Sequence, residues 1–125
     1  MGKYCKYGER KESGWEKLLC DHLCQQRITH EHQPYTASFS LDSGKTVTYK
    51  PNIVAHGIII EPHRSIDEAF IRKMRAFRKA YPDKKAILVV RNDDIPIIPN
   101  DVYDDILPIE YYDLLKQILR KLLQG

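Results

Sequence analysis

Hydrophobic positions along the chain recur at two spacings, which separate helical from extended segments. In "SGWEKLLCDHLCQQ" the apolar positions follow helical spacing, with Ser13 as the predicted N-cap and Glu16 as its capping-box partner. The stretch "SIDEAFIRKMRAFRKAYPDKK" repeats this signature with Ser65 and Glu68, and Pro82 is predicted to end the helix. The pattern therefore predicts two amphipathic helices, one on each side of the middle of the chain.

Extended segments lie between and after these helices. "YTASFSLDSGKTVTYKPNIVA" alternates and is rich in β-branched residues, so it predicts two antiparallel strands joined at "DSGK". His56 and Gly57 then form a tight turn into "IIIEPH", and we expect the three successive strands to form a meander. "AILVV" is wholly apolar, which indicates an interior strand parallel to the strand before the second helix.

The last third of the chain is a proline-punctuated connection that leads into a terminal helix at "YYDLLKQILRKLL". Apolar residues cover more than one stripe of this helix, so we expect it to pack on two surfaces, and a homodimer contact is one use of the extra surface. The whole pattern predicts an α/β fold. A mixed sheet of about four strands, in the order α-β-β-β-α-β, lies between the first two helices, with the terminal helix packed outside.

Composition and charge restrict the function classes. The chain has 125 residues, 42% hydrophobic and 30% charged, which is typical of one globular domain. The start "MGKYCKYGERKES" lacks the apolar stretch of a signal peptide and the cysteine count of three is odd. We therefore expect an intracellular, cytoplasmic protein with no membrane partner.

The net charge of +3 is unevenly distributed. Residues 1–91 carry 17 basic and 10 acidic side chains, whereas residues 92–125 carry 3 and 7. A basic first part favours a polyanion such as nucleic acid, although a solvated surface has the same composition. The candidate phosphate-binding residues lie on the second helix, and the solvated side of an amphipathic helix explains them equally well: Arg72, Lys73, Arg75, Arg78 and Lys79.

The turn at His56 and Gly57 predicts a register for the two strands that flank it. Counting outward gives the pairs Ala55 with Ile58, Val54 with Ile59, Ile53 with Ile60, Asn52 with Glu61, and Lys50 near His63. Because side chains alternate between faces, the polar members of these pairs share one face, whereas Pro51, Ile53, Ile58, Ile60 and Pro62 point into the core. The hairpin therefore predicts a polar cluster of Lys50, Asn52, Glu61 and His63.

This order of elements resembles the PD-(D/E)XK nuclease superfamily, which has the restriction-endonuclease-like fold. The resemblance covers a core of about residues 13–90, with the connection and helix of residues 91–125 outside it. Glu61 matches the family's glutamate, and Glu16 falls where an acidic residue of the first helix is expected. Two positions depart from the family pattern: Pro51-Asn52 stands in place of Pro-Asp, and Glu61-Pro62-His63 in place of Glu-x-Lys.

The resemblance implies metal-dependent phosphodiester hydrolysis at this cluster. Asn52, Glu61 and Glu16 would hold Mg²⁺ or Mn²⁺, and His63 or Lys50 would position the attacking water. A neutral amide at Asn52 supplies an oxygen without a charge, so a weakened metal site is expected. The expected function is a nuclease-like protein, an endonuclease acting on nucleic acid with DNA as the favoured substrate. The alternative is a catalytically inactive nuclease-fold module that binds DNA or a protein partner.

Several of these residues also have a purely structural explanation. The capping box accounts for Glu16, a polar strand position near an edge accounts for Asn52, and a solvent-facing strand end accounts for His63. Cys20 and Cys24 lie one helical turn apart, and Cys5, His22, His30 and His32 are near them in sequence. No Cys-x-x-Cys pair occurs, so we expect reduced, packed thiols in preference to a zinc site.

Overall fold

The computed structural model describes residues 3–6 and 14–124. The α-helices are α1 (Gly14–Gln25), α2 (Glu68–Ala80) and α3 (Leu115–Gln124). The strands are β1 (Glu31–His32), β2 (Ala37–Ser40), β3 (Thr46–Tyr49), β4 (Ile53–Ala55), β5 (Ile58–Pro62), β6 (Ala86–Val90) and β7 (Asp105–Pro108). Short 3₁₀ helices cover Asn92–Ile97, Asn100–Val102 and Ile109–Leu114. Ser13, the predicted N-cap of α1, lies outside the described residues.

Five strands form one mixed sheet in the order β1-β4-β5-β6-β7. β1 and β4 are antiparallel, as are β4 and β5, whereas β5, β6 and β7 run parallel. α2 makes the crossover between β5 and β6, as the apolar pattern predicts. The α/β class, the mixed sheet and the C-terminal helix are therefore confirmed, and the sheet has five strands where the sequence predicts about four.

The β4–β5 hairpin has the predicted register. Ile53 pairs with Ile60, Val54 with Ile59 and Ala55 with Ile58. The two turn residues His56 and Gly57 have φ angles of 53° and 78°, the left-handed conformation that a two-residue hairpin turn requires. The register therefore fixes which side chains of β4 and β5 point to each face of the sheet.

Both faces of the sheet are buried. On one face Val54, Ile59 and Leu88 pack in one cluster with Phe77 of α2 and Phe39 of β2. On the other face Ile53, Ile60 and Ile87 pack with a second set of residues from α1 and α3, which comprises Leu19, Leu23, Leu115 and Leu119. α3 therefore contributes to the core of the α1 face, whereas the sequence predicts it outside the layers.

The predicted three-stranded meander is wrong. β3 pairs with β2 in a separate two-stranded sheet, from Ala37 opposite Tyr49 to Ser40 opposite Thr46. The extended run breaks at Pro51, which has no backbone N–H to continue a ladder. Tyr49 at the end of β3 and Asn52 just before β4 consequently lie at a bend between the two sheets.

Two boundaries differ from the predicted ones. Asp67, not Ser65, caps α2, because its Oδ1 accepts a hydrogen bond from the backbone N–H of Phe70 at 2.8 Å. The terminal α-helix begins at Leu115, since residue Tyr111 has the non-helical angles φ −118° and ψ 37°. The two short strands β1 and β7, which extend the sheet at its edges, are also additional to the predicted elements.

The C-terminal region keeps part of its apolar surface exposed. Leu115 and Leu119 are buried, whereas Tyr111, Leu114 and Leu123 are exposed. The homodimer contact expected from this pattern stays a prediction. In the described part of the chain, no helix has the length and apolar character needed to cross a membrane.

Candidate functional site

Glu61 is a buried acid at the end of β5, with 8% of its surface exposed. Its Oε1 accepts a hydrogen bond from the Tyr49 hydroxyl at 2.6 Å and a second from the backbone N–H of Asn52 at 3.1 Å. Both donors come from the bend between β3 and β4. The break in the extended run therefore positions two hydrogen bonds on one carboxylate oxygen.

This environment shifts the pKa values of Glu61 and Tyr49. Burial raises the pKa of Glu61 to about 7, although the hydrogen bonds from Tyr49 and Asn52 and the charge of Lys73 act in the opposite direction. Burial also raises the pKa of Tyr49 well above its usual value, as does the charge of Glu61. Glu61 thus changes charge near neutral pH while Tyr49 stays protonated and donates to it.

Asn52 links Glu61 to Glu16, which is buried on α1. With its amide nitrogen toward Glu16, Asn52 donates to Oε1 at 2.7 Å. Asn52 therefore contacts Glu61 through its backbone and Glu16 through its side chain.

A pocket of about 300 Å³ opens beside Asn52. Its lining residues are Trp15, Asn52, Pro62, His63, Arg64 and Ser65. The guanidinium carbon of Arg64 lies 4.8 Å from the centroid of the Trp15 ring, a cation–π contact. The pocket thus combines a cation, an aromatic ring and an amide from the Glu16 and Glu61 network.

His63, predicted to assist the nucleophile, is held on the α2 side of the sheet. Its ring stacks on Phe70 with centroids 3.8 Å apart and an angle of 10° between planes. Burial lowers its pKa, and the charge of Lys73 acts in the same direction, so the imidazole is neutral at pH 7. His63 borders the pocket beside Asn52 with its ring face covered by Phe70.

The β4–β5 ladder ends at the pair Ile53 and Ile60 and does not extend to Lys50, which is exposed. The predicted proximity of Lys50 to His63 stays a prediction. The cation beside Glu61 is instead Lys73 of α2, whose Nζ lies 5.1 Å from the centroid of the Tyr49 ring.

Four residues of this site are additional to the predicted ones, and sequence patterns indicate two of them, Lys73 and Tyr49. Lys73 lies three residues after Phe70 and four before Phe77, both buried, so helical spacing directs it toward the sheet. Tyr49 ends β3 on the buried side of its alternation, three residues before Asn52. No sequence pattern indicates the contact between Trp15 and Arg64, because it forms only when α1 packs against the sheet.

The predicted phosphate-binding residues of α2 divide into two groups. Arg75 forms two hydrogen bonds with Asp101, at 2.6 and 3.2 Å. Arg78 binds the Asp104 carboxylate at 2.8 Å and the Asp101 carbonyl at 2.6 Å. Residues of the acidic connection thus neutralise part of this basic helix, which favours the solvated-face explanation.

The remaining basic residues of α2 lie apart from these contacts. Arg72 makes an exposed ion pair with Glu68 at 3.5 Å. A second pocket, of about 310 Å³, lies between α2 and the β2–β3 turn, and its lining includes Arg72, Arg75 and Lys79. This groove brings together three basic side chains of α2, of which Arg75 is paired with Asp101.

A separate cluster of metal-ligating side chains lies on the other side of Glu16. It consists of Cys5, Cys20, His30 and His32, all buried, with one ligand atom from each within 4.8 Å of the others. The three cysteines of the chain are present as thiols. The nitrogen and sulfur ligands of this cluster differ from the oxygen donors around Asn52.

Comparison of the chain with protein-family models, with curated proteins and with solved structures finds no match. The function of this protein therefore has to follow from the chemistry of its own residues.

Proposed function

We propose that this protein is a nuclease-like protein of the PD-(D/E)XK type, which hydrolyses phosphodiester bonds of nucleic acid with Mg²⁺ or Mn²⁺. The observation that supports the proposal is the meeting of Glu16 from α1, Asn52 at the start of β4 and Glu61 at the end of β5. The order of α1, the β4–β5 hairpin, α2 and the parallel strand β6 agrees with a restriction-endonuclease-like core.

The donor set fits a hard cation. Glu16 and Glu61 supply carboxylate oxygens, and Asn52 supplies an amide oxygen when its side chain is turned toward Glu16. Carboxylate and amide oxygens are the protein ligands that Mg²⁺ and Mn²⁺ prefer. At this position the ion supplies Lewis-acid chemistry, by polarising a phosphoryl oxygen and acidifying water.

The residues around these ligands have complementary roles. Burial raises the pKa of Glu61 to about 7 where no cation is present, and a bound cation would favour the charged carboxylate, so Glu61 would act as a charged ligand of the ion. Tyr49 orients that carboxylate by its hydrogen bond. Lys73 provides the positive charge near Glu61, in place of the expected Lys50 and His63.

The pocket beside Asn52 supplies the substrate-binding groups. Arg64 offers a guanidinium that binds phosphate through charge-assisted hydrogen bonds, and Trp15 offers a ring on which a base can stack. These groups would contact the phosphates and the faces of the bases, not the base edges. Binding is therefore expected to depend on salt and to tolerate changes of sequence. DNA is the proposed substrate.

A second candidate function, an inactive module that binds DNA or a protein partner, is favoured by one observation. The central ligand is the neutral Asn52, which makes a complete hydrogen bond to Glu16 without any cation. In that case the same pocket binds its partner and no bond is hydrolysed.

A cleavage assay tests the proposal. Purified protein is incubated with plasmid, branched DNA, single-stranded DNA and RNA, with Mg²⁺ or Mn²⁺ added. Glu61→Gln keeps the hydrogen-bond acceptor but removes the charge of the ligand, so cleavage should fall by about 100-fold or more. Glu68→Gln, an exposed glutamate on α2, is the matched control and should cleave like the wild type.

The outcomes separate the two functions. Equal cleavage by Glu61→Gln and by the wild type would overturn the assigned role of Glu61. Salt-sensitive binding to DNA without cleavage by the wild type would establish the inactive module. Absence of both cleavage and binding would reject the nuclease and the DNA-binding form of the inactive module.

A further inference from the structure

We propose that Cys5, Cys20, His30 and His32 form a structural zinc site, an inference that does not depend on the nuclease proposal. The four side chains come from three separate parts of the chain: residues 3–6, α1 and the segment that includes β1. Between 0 and 5% of each residue is exposed. Four soft or borderline ligands therefore meet in one buried cluster.

The backbone explains how the cluster forms. His30 accepts a hydrogen bond from the N–H of Lys6 at 2.9 Å and donates its own N–H to the carbonyl of Tyr4 at 2.8 Å. This places Cys5 beside His30 in a parallel bridge. His30 and His32 are two residues apart in an extended segment, so their rings point to the same side and lie 5.3 Å apart.

Each histidine has its Nδ1 fixed by an acceptor. Nδ1 of His30 lies 3.0 Å from the carbonyl oxygen of Ile28, and a carbonyl only accepts, so this nitrogen carries the proton. Nε2 of the neutral ring then has a lone pair, which lies 3.2 Å from Sγ of Cys20. The lone pair of His30 is therefore directed at a thiol.

His32 shows the same arrangement. Its Nδ1 lies 2.8 Å from Oε2 of Glu16, and in the neutral ring a donation from Nδ1 leaves the lone pair on Nε2. Nε2 of His32 is buried and has no hydrogen-bond partner in the described part of the chain. A buried nitrogen acceptor without a partner is unfavourable, and a metal ion at the cluster would satisfy it.

The geometry agrees with tetrahedral zinc. Zn–S bonds of about 2.3 Å and Zn–N bonds of about 2.0 Å place neighbouring ligand atoms roughly 3.3–3.8 Å apart. The Cys20 sulfur and the His30 nitrogen are 3.2 Å apart, and all four ligand atoms lie within 4.8 Å of one another. Small movements of the side chains would therefore close the site around one ion.

The second shell of the site also agrees with zinc. Histidine ligands of zinc commonly donate their other N–H to a carbonyl or a carboxylate, which fixes the tautomer and the ring. Here the carbonyl of Ile28 and the carboxylate of Glu16 have these roles. The ion would fasten residues 3–6 to α1 and β1, and it would hold His32 so that Glu16 stays in place beside Asn52.

Metal analysis of the purified full chain tests this site. We expect about one zinc per chain in the wild type, since one ion satisfies four ligands. After dialysis against a competing chelator, Cys5→Ser and Cys20→Ser should retain at least about tenfold less zinc than the wild type. Cys24→Ser is the matched control, because Cys24 lies one turn from Cys20 on α1 but outside the cluster.

Substitution of zinc by Co²⁺ in the wild-type protein gives a test that needs no variant. A tetrahedral site with two thiolates should show intense visible d–d bands and a thiolate-to-cobalt charge-transfer band. Absence of these bands, or equal zinc in Cys5→Ser, Cys20→Ser and Cys24→Ser, would overturn the proposal. If Cys20→Ser does not fold, Cys5→Ser and the cobalt spectrum still decide. None of these readouts depends on cleavage, so failure here leaves the Glu61 test intact.

Discussion

The carboxylate of Glu16 accepts a hydrogen bond from Nδ1 of His32 at 2.8 Å, and both side chains are buried. The same carboxylate contacts the side-chain amide of Asn52 at 2.7 Å. One acid of α1 therefore connects the Cys/His cluster to the oxygen donors at the end of the sheet. A change at Glu16 is expected to affect both sites.

Glu16→Gln should weaken zinc binding without preventing folding. Glutamine can still accept from His32 through its amide oxygen, but it lacks the charge that makes the imidazole a better ligand. Loss of such a carboxylate typically costs 10–100-fold in metal affinity. A chelator competition measures the change, with Glu31→Gln on β1 as the control. Equal affinities in Glu16→Gln and Glu31→Gln would contradict a second-shell role.

Glu61 should make folding stability fall as the pH rises. Its pKa is about 7 in the folded protein against 4.5 ordinarily, so the folded state binds more protons between these values. Glu61 therefore makes its full contribution to folding stability below pH 4.5. This contribution is lost as the pH rises through 7, by about 3 kcal/mol in total.

Urea unfolding at pH 5 and pH 8, without added Mg²⁺ or Mn²⁺, measures this contribution. In Glu61→Gln the difference between the two pH values should shrink by about 2.5 kcal/mol relative to the wild type. An unchanged difference would show that Glu61 titrates normally.

Asn52→Asp should lower the folding stability of the protein without a cation and raise its affinity for Mn²⁺. The new carboxylate would lie beside Glu16 and Glu61, and like charges in a buried site cost about 3 kcal/mol when no cation is present. Mn²⁺ should recover most of this loss, so the rise in Tm on adding Mn²⁺ should be larger than in the wild type. Asn100→Asp, on an exposed 3₁₀ helix, is the control. Equal Mn²⁺ effects in all three proteins would argue against a cation at Asn52.

Arg78→Ala should destabilise the protein more than Arg72→Ala. Arg78 and its partner Asp104 are about one quarter exposed, and Asp104 also accepts the N–H of Ala86 at the start of β6. Losing this link should cost about 1–2 kcal/mol, whereas the exposed pair of Arg72 and Glu68 contributes close to zero. Chemical denaturation of the two variants measures the difference, and equal losses would contradict it.

Local signals were enough to predict the centre of the sheet. The glycine-containing two-residue turn fixes the β4–β5 register, and it is a property of two adjacent residues. The apolar run of β6 likewise predicts burial on both faces and parallel pairing. The approach of Glu61 to Asn52 follows from this register.

Features that depend on distant contacts were not predictable in the same way. β1 has two residues and β7 four, too few for a recognisable alternation. The Cys/His cluster requires residues 3–6 to dock beside β1, and no spacing between cysteines indicates that docking. The ladder of β4 and β5 ends at Ile53 and Ile60, so the predicted pairing beyond Pro51 is not part of the sheet.

A titration of Mn²⁺ into zinc-loaded protein, followed by the EPR signal of free Mn²⁺, tests the proposed oxygen-ligand site most directly. The proposal predicts one Mn²⁺ site per chain in the wild type, about tenfold weaker binding in Glu61→Gln and tighter binding in Asn52→Asp, because each substitution changes the ligand charge by one. Identical binding curves for the three proteins would contradict the assignment of Glu16, Asn52 and Glu61 as one cation site.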